Sequence, residues 1–512
     1  MKIDKYLKIN LLQLISLVLM AAPLLINLIL IVCGAQILDS DANTYHLFNA
    51  RLIADNNLSY FSSRPVTLAN ELGIGVSSHF PWLYSYLVAK ISVHCFISLD
   101  NSAYLVNCLV YLGFLAIMPW QARPLFAILM LMPSVFYFAF NSGANYYLTS
   151  FFGFLLYKII AEGHNRWMVL CVSLLLSQAH VLGFYLSIII IGLSGANNFK
   201  NCLAEKILQI VVLSGLHFYW NFTLTGSPTF PFLQNFFPHK YYNQYEWMLV
   251  QKQITNGIYV AFKSMGILAL ILYLFKTLLF VGAVYFSRVA NRVKFLVGIL
   301  IVPVFLIPYF GMRHRIIFAL ISISIFLYEI FRNDPGFISK LKFLYVRISI
   351  WLVPLIGIVF FISTIIKNSG LEIKEANFQD VKQCYYKTVD DLSKDYLVMM
   401  SETELLRIEN YSNVIPIDGK NMELYFGSSN EENATELLKS NVKYIATSPL
   451  SEANSVYVEH AKLYDAINVL RNRGRIKLVK DCISDAGFSE KYVEKLILKD
   501  GWYGWRIYEI IK

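Results

Sequence analysis

Residues 11–56 read "LLQLISLVLMAAPLLINLILIVCGAQILDSDANTYHLFNARLIADN". The apolar run over 11–33 is long enough to cross a hydrocarbon core, which takes about 20 residues of helix. Two aspartates, a histidine and an arginine stand at its lip. Lys2, Lys5 and Lys8 precede it. The run is too long for a secretory h-region and no small-x-small cleavage site follows. It reads as a retained first helix with a cytoplasmic start, so the acidic lip falls outside.

Composition extends the same reading to the whole chain. Hydrophobic residues make up 56% and charged ones 15%, against about 25% charged in soluble domains. Candidate spans are 11–33, 81–98, 103–119, 125–140, 144–161, 167–193, 207–224, 258–286, 295–310, 315–331 and 343–366. The segment 167–193, with "SQAH" at its centre, reads as one tilted span or as two half-helices. The count leaves 34–80, 225–257, 312–315 and the tail from Lys367 outside. The basic loops "SRVANRVK" (287–294) and "RNDPGFISKLK" (332–342) stay inside, as the positive-inside rule asks. That bias accounts for the net charge of +10. Nucleic acid is not an expected partner, because no basic stripe is interleaved with base-stacking aromatics.

From Lys367 the texture turns charged and mixed. "ATELLKSNVKYIATS" reads as helix, turn and strand, and "GRIKLVKD" and "WRIYEII" as strands. The expected fold class is an all-α polytopic membrane protein of about 11 transmembrane helices, with a small C-terminal α/β soluble domain. The expected domains are 1–366 and 367–512. Seven cysteines show no CxxC or Cys/His cluster, which disfavours zinc. Cys384 and Cys482 lie in the polar tail and can pair if it faces an oxidising compartment.

The first loop carries the chemistry. A helix is expected from Ser40 or Asp41 through Ala54, with Leu47, Phe48, Leu52 and Ile53 grouped so that it can lie on the membrane surface. Asp41 suits its N-cap and dipole. The same carboxylate can also accept a proton, and the two roles are compatible.

"DANTYHLFNARLIADNNLSY" (41–60) resembles the first outer loop of the GT-C superfamily, the polyprenyl-phosphate-sugar-dependent glycosyltransferases that include the dolichyl- and polyprenyl-phosphate-mannose mannosyltransferases. Asp41, Tyr45 and His46 carry the match. "HFYWNFTLTGSPTFPF" (217–232) is similar to a later segment through Asn221, Gly226, Pro228 and Pro231. "MRHRIIFALISISIFL" (312–327) resembles the family's Arg-aromatic opening of a late span. The likeness covers about residues 1–366. Departures are Asn145 where a second acidic residue is frequent, His180 for a Lys before a mid-span break, Phe48 for a Pro, and His314 for a Tyr. The span count also leaves 141–147 on the cytoplasmic side, away from the first loop.

The resemblance implies sugar transfer from a polyprenyl-phosphate donor to a cell-envelope glycan, lipid or protein. The site and the C-terminal domain would then face the periplasm from the bacterial inner membrane. Asp41 is the expected general base, with Asp39 as its alternate. Arg313 and Arg315, with His314 between them, are expected to stabilise the departing phosphate. Tyr45, His46, Arg51, His79 and Lys263 are further candidate substrate contacts. Asp39 and Asp41 can share a divalent cation, although two carboxylates are a thin ligand set. Three other readings stay open. One is an envelope-polysaccharide polymerase or ligase. Another is a flippase or transporter for a lipid-linked sugar, for which Lys90 and His94 in 81–98 are the hint. The third is a GT-C scaffold that has lost catalysis and serves as a subunit, to which Asn145 points.

Overall fold

The computed structural model describes residues 11–37, 42, 46–60, 82–131, 135, 140, 142–180, 182–194, 199–225, 228, 282, 284–285, 287, 289–306, 312–333, 381, 383–400, 405–416, 429–447, 458–482 and 505–512. It is 75% helical with one small sheet. The bundle comprises α1 (Leu11–Val32), α2 (Leu47–Asp55), α3 (Leu83–Cys95), α4 (Leu99–Ile117), α5 (Arg123–Leu131), α6 (Tyr146–Ala161), α7 (Arg166–Ala179), α8 (Gly183–Leu193), α9 (Phe199–Thr225), α10 (Asn291–Leu306) and α11 (Met312–Asn333). The α/β unit follows, with α12 over 383–393, β1 (Val398–Met400), β2 (Val414–Pro416), α13 (Asn430–Lys439), β3 (Tyr444–Thr447), α14 (Val458–Asn472), β4 (Ile476–Asp481) and β5 (Arg506–Ile510). The expected boundary at 366–367 lies outside the described residues.

The sheet order is β2-β1-β3-β5-β4. β1 pairs in parallel with β2 and β3, while β5 runs antiparallel to β3 and β4. Successive side chains along each strand point to opposite faces of the sheet. Met399, Ile445 and Ile510 pack under α13 and α14. Val398, Met400, Ala446 and Ile507 pack on the other face with Tyr385, Tyr386 and Val389. A disulfide joins Cys384 of α12 to Cys482 at the end of β4.

That second face is completed from the bundle. Phe48 and Leu52, four residues apart on α2, belong to its apolar cluster. Leu47, Ala50 and Ile53, on the opposite side of the same helix, belong to the bundle core. The expected surface helix is therefore buried on both sides, because its apolar residues form two stripes and not one. Two arginines lock the contact. Arg407 donates to both oxygens of Asp100, at 2.7 and 2.8 Å, and to the carbonyl of Ile37 at 3.3 Å. Asp100 also accepts the Ile37 N–H at 2.8 Å and sits in the first turn of α4, behind the Ser98 N-cap, where a negative charge suits the helix dipole. In return, Arg51 of α2 donates to the carbonyls of Leu406 and Ile408 at 2.8 and 2.7 Å. We call this the docked end of the bundle.

Contacts trace the chain between the docked end and the far end. α4 starts at the docked end and runs antiparallel to α1, with the Tyr111 hydroxyl donating to the Met20 carbonyl. α3 lies across the docked end: Tyr84 near its start packs by His46, and its other end leads straight to Asp100. The expected span at 81–98 is therefore corrected. The expected span at 167–193 is two helices. Ser187 Oγ donates to the Ser173 carbonyl, and a Cβ on Gly183 would stand 1.8 Å from the Leu176 carbonyl oxygen, which is the geometry of a tight antiparallel hairpin turning at His180. The helix expected over 125–140 is described as far as Leu131. Each of the first two corrections reverses the chain's sense once, so they cancel. From Phe199 on the sense is as expected, with Lys206 of α9 bonded to the Ser194 carbonyl at the far end and His217 stacked on Phe184 nearer the docked end.

The count of about eleven spans is likewise revised. Among the described residues, two helices, Leu99–Ile117 and Ile316–Asn333, are long and apolar enough to cross a membrane. Most of 258–286 and all of 343–366 lie outside the described residues. Apolar side chains are exposed along α1 and α9, among them Val18, Leu25, Ile29, Val211, Tyr219 and Phe222.

Two outcomes test this architecture. Gly183→Ala should cost about 3 kcal/mol, because the methyl meets backbone and not a yielding side chain; an unchanged unfolding temperature refutes the hairpin. Arg407→Gln should destabilise by about 3 kcal/mol by leaving Asp100 buried and unpaired, and Asp100→Asn in the same chain should recover part of the loss, as read by chemical denaturation of both variants.

Candidate functional site

Beneath the paired arginines, the clamp, the docked end holds a cluster of buried polar and aromatic side chains, which we call the chamber. His46 enters α2, Tyr84 and Ser85 open α3, Tyr146 opens α6, and His180 closes α7; all are nearly inaccessible. Tyr146 contacts both imidazoles, the His46 ring edge-on at 6.4 Å and the His180 ring tilted at 5.8 Å. Tyr84 lies 6.0 Å from His46.

Two turns build it. In "NSGANYY", Gly143 has φ +65°, and a side chain there would strike Ile37 at 2.6 Å and approach Ala42 at 3.4 Å. The turn is thus pressed against the first loop at the residue following Asp41, and Ala42 is fully buried. The expected separation of 141–147 from the first loop is corrected: the chain has reversed at α4 and returned. At the second turn, His180 is extended and its Nδ1 accepts the Leu182 N–H at 3.0 Å. A neutral His180 therefore carries its proton on Nε2.

Asn145 bridges the two turns. Its Nδ2 donates to the Ala179 carbonyl at 2.5 Å, and because that oxygen only accepts, the amide orientation is set. Its Oδ1 is buried without a partner among the described residues. The position expected to hold an acid is thus occupied by a structural donor that ties α6 to α7.

Of the expected site residues, Asp39, Asp41, Tyr45, His79 and Lys263 lie outside the described residues. His46 is in the chamber. Arg51 is a clamp residue: besides the two carbonyls it bonds Asp55 at 3.2 Å and lies 5.0 Å over the Tyr411 ring. Its guanidinium is spent on the α/β unit, not on the chamber. Burial, then the Asp55 carboxylate, push the Tyr411 phenol pKa up against the pull of Arg51. Arg313, His314 and Arg315 form the first turn of α11, with backbone alone described. That helix runs parallel to α6, Gly153 lying against Ile321, and the same register two turns earlier sets residues 313–315 level with Tyr146. Among the described residues no group of three His, Cys, Asp or Glu is placed to hold a metal. Tyr146 and Tyr84 carried no chemical motif in the sequence. His180 stood out only as the residue at a mid-segment break.

Asn145→Asp should lower stability by about 1–3 kcal/mol, since it replaces a donor with a charge facing a carbonyl. Equal unfolding temperatures for the two proteins at pH 7 would contradict the assigned bond.

Comparison with family models, with curated proteins and with solved structures returns no match.

Proposed function

We propose that the chain is a membrane glycosyltransferase that moves a sugar from a polyprenyl-phosphate donor to a cell-envelope acceptor at the docked end. The observation that carries this reading is the convergence of three sequence-distant segments: the first loop at Ala42 and His46, the 142–146 turn, and the first turn of α11. In this reading they are the segments that carry Asp41, Asn145, and the pair Arg313 and Arg315.

Two further observations support the setting. The exposed apolar side chains of α1 and α9 would be solvated by lipid tails, whereas a water-soluble protein rarely leaves so many large ones open. The Cys384–Cys482 disulfide fits an oxidising compartment such as the periplasm. Lys90 and His94, the hint of a transporter, lie on α3 across the docked end, where Lys90 rests 5.3 Å over the Tyr86 ring. They no longer argue for ionisable groups at mid-depth.

In this reading Asp41, or Asp39 in its place, takes the proton of the acceptor hydroxyl. The acceptor oxygen bonds to the anomeric carbon as the bond from that carbon to the phosphate oxygen breaks. The polyprenyl phosphate leaves with the electron pair, and Arg313 and Arg315 meet its charge. Asn145 Oδ1, without a partner among the described residues, is available to orient a sugar hydroxyl.

With a polyprenyl-phosphate sugar and purified protein, Asp41→Asn should lower donor consumption by about 10²–10⁴-fold, the usual contribution of a general base. Wild-type turnover retained in the variant removes Asp41 from the mechanism, and no turnover in either protein removes the enzymatic reading.

A further inference from the structure

The far end holds a second polar site. A cavity of about 190 Å³ opens between α6, α8, α10 and α11, space for roughly six waters. Arg292 and Arg332 line it, and both are exposed. Glu329 also lines it and is 6% exposed. One Glu329 oxygen accepts from the Tyr157 hydroxyl at 2.8 Å and the other from Asn333 Nδ2 at 2.5 Å. Each oxygen keeps a second lone pair. Arg332 donates through one nitrogen to Tyr328 and the Ala161 carbonyl, and its other N–H groups have no partner among the described residues. Ser194, another lining residue, has a buried hydroxyl without a partner among the described residues.

The order of charge is informative. Cationic groups stand at the exposed part of the wall and a carboxylate at the buried part. A plain anion would meet Glu329, and a plain cation would first meet two arginines. A zwitterion led by an ammonium and followed by a phosphate satisfies both. We propose that this cavity binds an aminophosphate ester, the ammonium on Glu329 and the phosphate on Arg292 and Arg332, and that its source is the headgroup of an ethanolamine phospholipid. The lipid source rests on the membrane reading above, in which the far end lies at the cytoplasmic headgroup layer, where basic pockets between helices hold lipid headgroups. The charge argument does not rest on that reading.

The test is native mass spectrometry of the full-length, delipidated protein with added phosphatidylethanolamine, phosphatidylglycerol or phosphatidylcholine, alongside calorimetry with soluble O-phosphoethanolamine. Wild type should retain phosphatidylethanolamine at least tenfold better than either other lipid. Glu329→Gln should erase the preference over phosphatidylglycerol. The Arg292→Gln/Arg332→Gln double variant, changed only at exposed positions, should lose tenfold or more for phosphatidylethanolamine, and it carries the test if Glu329→Gln does not fold. Retention by the double variant equal to wild type overturns the site. Tight binding of O-phosphoethanolamine with no lipid preference overturns the lipid source. A chain that stays monodisperse without detergent overturns the membrane reading instead, and calorimetry then still reads the cavity.

Discussion

The exchange of arginines between α2 and the 405–408 segment holds the molecule's two parts together. Arg407 reaches down to Asp100 and Ile37, and Arg51 reaches up to the Leu406 and Ile408 carbonyls. Between these bonds, Leu406 enters the bundle core while Leu405 and Ile408 stay in the core of the sheet face. Asp100 gathers three roles, as helix-terminal charge, acceptor for the first loop and partner for Arg407. Its desolvation is tolerable because each oxygen is met by a donor. Ile37 is thereby tied to α4, and α2 is covered by the α/β unit directly above His46, Tyr146 and His180.

Much of the α/β unit was legible in the sequence, because short alternating runs such as "KYIATS" and "WRIYEI" carry their period on the surface of the text. β3, β4 and β5 fall where the pattern puts them. The bundle was legible in its helices but not in their direction. Hydropathy reports how apolar a segment is, not which way it runs, so α3 passed for a span although the Asp100 contact holds its end at the docked end. The break at His180 was visible as polar residues inside an apolar run. That it closes a hairpin depended on Gly183 lying against the Leu176 carbonyl, a contact no periodicity encodes. α2 was read as one-faced because Leu47, Phe48, Leu52 and Ile53 look grouped on paper; the second face appears only once the sheet is there to cover it.

The site divides in the same way. His46 was singled out by motif. Tyr146 was not, because a tyrosine at a helix start has no signature apart from its neighbours. Asn145, legible only as a departure from an expected acid, turns out to tie two helices through an amide that a carboxylate cannot replace. Its burial at 0% exposure leaves little room for an ionised group, so the same backbone with an acid there would need a different partner than Ala179.

The clamp also orders events in time. Arg51 and its acceptor at Leu406 are 355 residues apart, and at about 5–20 residues per second of synthesis the first loop waits roughly 20–70 s for the segment that covers it. Throughout that interval Phe48 and Leu52 have no sheet to pack on. The nascent chain must shelter an apolar helix stripe at its beginning until its own ending arrives, and a truncation before residue 405 leaves that stripe open for good.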